Sequence, residues 1–146
     1  MVDILHRVGV EGRTPADVNE ALTTIDGLAG WWTTNTTGST DVGGTIEFRF
    51  PNGQVDMQVL ERQPEHVQWK VVGGPDAWMG SLIDFRLRDD GDRTIVLFEH
   101  QGWKEPSEFM HHCSTKWATF LLSLRDLLEG SKGRPYPHDV KIHVGD

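Results

Sequence analysis

The chain has 146 residues, with 22 Asp and Glu against 14 Lys and Arg and a formal charge of −8. Binding a phosphate backbone needs clustered Lys and Arg to displace counterions, so this balance, without a basic stripe, excludes nucleic acid as a partner. The longest apolar runs, such as 95–98, fall far short of the ~20 residues that span a bilayer, and the length suits one domain over 1–146 with a substantial core.

From the N-terminus, Ile4, His6, Val8 and Val10 alternate with Leu5, Arg7 and Gly9, a strand pattern of period two. Thr14-Pro15 then opens a short helix, Thr14 as cap and Pro15 at the first helical position, with Val18, Ala21, Leu22 and Ile25 on one side. A second brief helical turn carries Leu28 toward Trp31-Trp32, and the polar run Thr33 to Thr40 reads as a loop. Adjacent residues cannot share one face, so one of these two tryptophans is expected to be buried and the other to sit at the surface or a cavity mouth. After Gly43-Gly44 the period changes. Ile46, Phe48 and Phe50, the turn Pro51-Asn52-Gly53, then Val55, Met57 and Val59 predict a hairpin with one wet face. Further strands hold Val67, Trp69 and Val71, then Ser81, Ile83, Phe85 and Leu87, then Thr94, Val96, Phe98 and His100, separated by breaks at Gly73-Gly74-Pro75 and Asp90-Gly91.

The last third is helical. Phe109, Cys113, Trp117, Phe120, Leu124 and Leu127/Leu128 recur at steps of three and four, which aligns them on one face of a helix over 107–129. Pro106, Ser107 and Glu108 supply its start, and Gly130 with Pro135 its stop. The order of elements is α+β: one strand, two short helices, about five more antiparallel strands, and a long helix whose apolar face must be buried against the sheet.

Several of these segments also carry a family resemblance: Leu28-Ala29-Gly30-Trp31-Trp32 after a Pro-started helix, Gly43-Gly44 before the first hairpin strand, Thr94 leading to His100 and Gly102, Trp117, and Leu124 to Gly130 followed by Gly133-Arg134-Pro135-Tyr136. Together they resemble the START-like (SRPBCC) helix-grip superfamily, and within it the bacterial branch named for the activator of the ninety-kilodalton heat-shock protein ATPase. The resemblance implies a curved antiparallel sheet of about six strands gripping the C-terminal helix around an apolar cavity. Members of the superfamily are variously ligand carriers, cyclases, hydrolases or chaperone partners, and fold kinship alone does not choose among them. The relative that gives the branch its name has an additional N-terminal domain to which nothing in this chain corresponds.

The apolar faces supply a candidate cavity lining: Phe48, Phe50, Met57, Trp69, Ile83, Phe85, Phe98 and His100 from the sheet, and Phe109, Cys113, Trp117, Phe120 and Leu121 from the helix. Ser81 and His100 are its polar groups, with Trp32 and Trp78 as rim candidates in loop-like segments. Catalytic and metal chemistry find little support. His111-His112-Cys113 are consecutive, so on a helix they point about 100° apart and cannot share a metal. No metal-binding spacing, nucleophile elbow, P-loop or dinucleotide fingerprint is present, so neither metal nor cofactor is expected. Strict alternation sends Glu99 and Asp84 to the outer face when His100 points inward, depriving it of a carboxylate partner. His100 is expected to be neutral and hydrogen-bonded, and Cys113 to be inert packing. With one cysteine and no secretory signal pattern, a cytoplasmic setting is expected. The favoured reading is a binding protein for a lipid-like or planar aromatic small molecule. The alternatives are a chaperone-interacting protein presenting its outer face, and a cyclase- or hydrolase-like enzyme using His100.

Overall fold

The computed structural model describes residues 1–142. The N-terminal alternation forms β1 (Val2–Glu11), and α1 (Pro15–Thr23) starts at a reciprocal cap. The Thr14 hydroxyl accepts from the Asp17 amide while the Asp17 carboxylate accepts from the Thr14 amide, satisfying two donors that the first turn would otherwise leave unpaired. A second cap at Thr24, whose hydroxyl accepts from the Gly27 amide at 3.0 Å, restarts the chain as α2 (Ile25–Trp31). Next come β2 (Thr36–Gly38), β3 (Thr45–Phe50), β4 (Gly53–Gln63), β5 (His66–Gly73), β6 (Leu82–Asp89) and β7 (Arg93–Trp103), followed by α3 (Glu108–Leu128). A single 3-10 turn, Asp76–Trp78, lies between β5 and β6.

Within the sheet the strands pair antiparallel, in the order β1-β7-β6-β5-β4-β3-β2. The sheet therefore has seven strands, where about six were expected, and the extra one corrects the loop assigned to Thr33 to Thr40. Thr36–Gly38 pairs with β3, Thr36 opposite Phe48 and Gly38 opposite Ile46. A three-residue edge strand is specified by its neighbour's open ladder and not by its own composition, which here is only threonine and glycine. Gly38 has φ +101°, and a Cβ there would run into the Thr45 carbonyl.

Because β1 and β2 lie at opposite edges, α1 and α2 must carry the chain across the sheet. They do so on the face that also receives α3. That face is built from cross-strand apolar pairs: Ile46 with Met57, Phe48 with Val55, Val59 and Ile83 with Trp69, Val67 and Phe98 with Phe85. Irregularities in β4 near Asp56 and Val59 bend the strand and increase its twist, which curves the sheet toward the helix.

On α3, Cys113, Trp117, Phe120, Leu121 and Leu124 are buried, and Ser107 caps the start by accepting from the Met110 amide. Phe109 departs from the expected pattern. Its angle on the helix is right, yet it is 41% exposed, with Trp103 and His112 as its ring neighbours. At that end helix and sheet diverge around a pocket, and the ring is left on the rim. Of the two adjacent tryptophans, Trp31 is buried in the core, and Trp32, also little exposed, borders the pocket. Trp31 ends α2 and packs edge-on against Phe85, its indole N–H donating to the Ala21 carbonyl at 3.0 Å. Trp32 leaves the helix at φ −105°, ψ −71°, and its ring enters the layer between β3 and α3, 4.1 Å from Phe48 and 4.9 Å from Trp117.

After α3 the chain turns at Gly130 and runs back as a tail fixed at four points. Gly133 packs directly on the Gly30 backbone, Ser123 Oγ accepts from the Arg134 amide at 2.6 Å, Tyr136 bonds the Trp32 carbonyl and the Thr34 amide, and Asp139 pairs with Lys116 of α3.

Candidate functional site

His100 lies on the inner face of β7 and is fully buried. The Trp117 indole, which can only donate, gives its N–H to His100 Nδ1 at 3.1 Å. Nδ1 is thus the acceptor and the proton sits on Nε2, which donates to Ser81 Oγ at 2.8 Å; the Ser81 hydroxyl in turn donates to the Trp78 carbonyl. Every polar atom of the imidazole is satisfied in the neutral form. Burial holds its pKa down at about 3. The ring ties α3 to the sheet and to the turn before β6, and among the described residues no carboxylate is hydrogen-bonded to it. Asp84 lies on the opposite face of the sheet, as alternation requires. It is nevertheless fully buried there, because His66 Nε2 at 2.5 Å, Gln68 Nε2 at 3.0 Å and Arg86 Nε at 3.3 Å close over it.

The open space lies elsewhere. A pocket of about 510 Å³ is bounded by the first half of α3, the β3–β4 turn at 51–54, the Pro75–Trp78 segment and the tail. Trp32, Phe50, Trp78, Phe109, Trp117, Phe120 and Tyr136 form its aromatic walls, with Cys113 on the helix side and Asn52, Gln54, His112, Lys116 and Asp139 as polar groups. The walls are mutually braced: Trp78 stacks on Trp117 at 5.8 Å and 21°, and Phe50 meets Tyr136 edge-on at 5.2 Å. Burial pushes the Cys113 thiol up to about 11, against a smaller opposing pull from the Trp78 indole, so it is a neutral packing group. The indole N–H of Trp103 is buried without a hydrogen-bond partner among the described residues.

Of the candidate residues read from the sequence, Trp32, Phe50, Trp78, Phe109, Cys113, Trp117 and Phe120 border this pocket. Phe48, Met57, Trp69, Ser81, Ile83, Phe85, Phe98, His100 and Leu121 do not; they fill the core beneath it. In that layer Trp69, Phe85, Phe98 and Trp117 interlock at ring distances of 4.7 to 5.3 Å, so side chains fill the region between helix and central sheet where these residues lie. Missed by sequence reading were the 51–54 turn, Lys116, Tyr136 and Asp139. Phe50 was legible as an inward strand residue, but nothing local indicates that the tail folds back to bring Tyr136 and Asp139 to it. No group of His, Cys, Asp and Glu able to hold a metal is found among the described residues. Nor is any helix there long and apolar enough to cross a membrane.

A seven-stranded antiparallel sheet curved around a long C-terminal helix, with a pocket at one end, defines a helix-grip protein. Residues 13–129 match the family described as Activator of Hsp90 ATPase homolog 1-like protein, and the chain belongs to it. Its structure is similar to that of the Aha1 dimer from Colwellia psychrerythraea, with TM-score 0.84, 46% sequence identity, and coverage of 91% of this chain and 100% of that one. The same fold recurs in MLL2253 from Mesorhizobium loti (TM-score 0.75, 19% identity, 88% and 97% covered) and in CalU16 from Micromonospora echinospora (0.72, 19%, 88% and 75%). Among functionally curated sequences none matches this chain.

Proposed function

We propose that the protein binds a small planar aromatic or lipid-like molecule in the pocket at the open end of the grip. The observation that supports this most directly is the 510 Å³ space walled by seven aromatic side chains and edged by a few polar groups. Apolar concavities of a few hundred cubic ångströms with sparse polar groups are the usual form of small-molecule sites. His100 takes no chemical part in this reading. With both nitrogens engaged, it braces Trp117 and, through Ser81, the Trp78 backbone.

Titration with a panel of lipids, fused-ring aromatics and phenols, followed by tryptophan fluorescence and backbone amide shifts, tests the proposal. Saturable quenching is expected, with shifts gathered at 51–54, 109–120 and 136–139. No response near a millimolar from any compound would refute it. A second reading, action on a heat-shock ATPase, is supported by the description of the family and by 46% identity to the structure described as an Aha1 dimer. Measuring the chaperone's ATP turnover with and without the protein tests it: an unchanged rate, with no complex on co-sedimentation, would remove it.

A further inference from the structure

The two edges of the sheet are finished differently. β2 closes one side with three residues, whereas β1 lies along the other for ten. An edge strand offers a row of unpaired amides and carbonyls, and most edges are blunted by brevity, proline, lysine or a bulge. β1 contains neither proline nor lysine. The register shift between Val2 and Ile4 puts its extra residue in β7, where their partners are Trp103 and His100, so β1 itself stays regular. Among the described residues, the main chain of 2–10 is hydrogen-bonded to β7 alone. The outward positions are Asp3, Leu5, Arg7, Gly9 and Glu11. Leu5 is 64% exposed in mid-strand, and the exposed Arg7 has no ion-pair partner among the described residues.

We propose that this edge pairs with the same edge of a second copy, antiparallel about a two-fold axis at Leu5, so that two sheets become one. The register follows from face and charge. Directly opposite residues of a continuous sheet share a face, so outward positions must meet outward positions and the axis must fall on a residue. Centred on Leu5, the pairing over 2–8 sets Asp3 against Arg7 twice and Leu5 against Leu5, with Val2 against Val8 and Ile4 against His6 on the inner face. Arg7 thereby gains the carboxylate that a single copy does not give it. Asp3 keeps one oxygen on the Gly102 amide at 2.9 Å and offers the other to Arg7 of the second copy. Centred on Arg7, the strand would oppose Arg7 to Arg7 and Asp3 to Glu11, and facing like charges are destabilising. Centred on His6, no opposite charges meet. Centred on Gly9, Arg7 would meet Glu11 but only 7–11 could pair, and the Glu11 amide is already held by Glu129 at 2.9 Å.

Sedimentation velocity over ~5 to ~500 μM tests the association, because an interface below the standard size suits a dissociation constant on the order of tens of micromolar. A dimer should form across that range. Arg7→Asp and Asp3→Arg should each weaken it roughly tenfold, and an equimolar mixture of the two variants should restore it, since an all-acidic edge then meets an all-basic one. Leu5→Cys reads the register without depending on either charge variant. Opposed Cβ atoms lie about 5 Å apart, so mild oxidation should link two copies at position 5, whereas Arg7→Cys should stay unlinked. No residue of β1 lines the pocket, so ligand binding should be unchanged in all four variants. A monomer at every concentration overturns the proposal and leaves the edge to a different chain. So does a dimer indifferent to Arg7→Asp, or linkage through Arg7→Cys and not Leu5→Cys. Slow exchange of every amide in 2–8 of the monomer would also overturn it, by placing another segment of the same chain on the edge.

Discussion

Trp117 and His100 meet across the helix–sheet interface through one hydrogen bond of 3.1 Å, and the same imidazole is held on its far side by Ser81 at 2.8 Å. Protonating Nδ1 would put two donors face to face inside the core. In the unfolded chain the imidazole takes up its proton near pH ~6.5, whereas burial holds the folded value at about 3. Between those values the unfolded state binds more protons, so stability falls as pH drops from about 6.5 toward 3 and is flat above neutrality on this account. The loss between pH 7 and pH 4 should be on the order of 3 kcal/mol. Denaturant unfolding across that range checks it, and His100→Gln should flatten the slope. A slope that persists in the variant would assign it to other groups.

Removing the indole tests the same contact from the helix. Trp117→Phe keeps most of the volume but leaves His100 Nδ1 without its donor, at a cost of roughly 1–3 kcal/mol. Trp117→Ala also opens a cavity among Trp32, Trp78 and Phe98, and should cost on the order of 3–5 kcal/mol. Two similar losses in thermal or denaturant unfolding would show that neither the volume nor the hydrogen bond is distributed as described.

Cys113 points from α3 into the pocket, so Cys113→Trp should fill it. Binding of any aromatic probe should disappear while amide shifts of the central strands stay in place, because the added ring occupies existing space. Leu121→Trp is the contrasting variant. Leu121 is fully buried away from the pocket, and overpacking there should destabilise by about 1–3 kcal/mol. Equal effects of the two substitutions on stability would contradict the placement of the space.

The tail depends on Gly133, where a Cβ would strike the Gly30 carbonyl. Gly133→Ala should therefore cost roughly 1–3 kcal/mol and speed amide exchange at Arg134 and Tyr136, with the central strands unaffected.

Asp139 sets the acid limit of the tail. Burial alone would raise its carboxyl, but hydrogen bonds from Lys116 and Lys141 outweigh that and hold it below its ordinary value. A depressed carboxylate stabilises above the unfolded pKa of about 4, and the contribution is lost as pH falls through the lower folded value. Tail amides should stay protected at about pH 5 and exchange faster only in stronger acid. In Asp139→Asn they should exchange faster throughout. Unchanged protection in the variant would show that the other three anchors suffice.

The sequence alone determined much of this protein, because its elements follow from local rules. The capped start at Thr14, the period-two strands from Ile46 to His100 and the stripe from Cys113 to Leu124 each bury one face whatever their neighbours are, so the α+β order and the bounds of α3 were legible within one or two residues. So was the inward aim of His100, since alternation with Val96 and Phe98 requires it. Tertiary structure decided the rest. Whether an aromatic-rich layer leaves a void depends on how rings interlock, and at the centre Trp69, Phe85, Phe98 and Trp117 are in direct ring contact. Space survives between the first half of the helix, the β3–β4 turn and the tail, where Phe109 is left on the rim. Its remaining wall comes from Phe50, Tyr136, Lys116 and Asp139, with Lys116 and Asp139 separated by 23 positions in the chain and brought together by the fold-back of a tail. No periodicity records such an encounter, because it rests on a backbone contact between Gly133 and Gly30 and not on any pattern within one element.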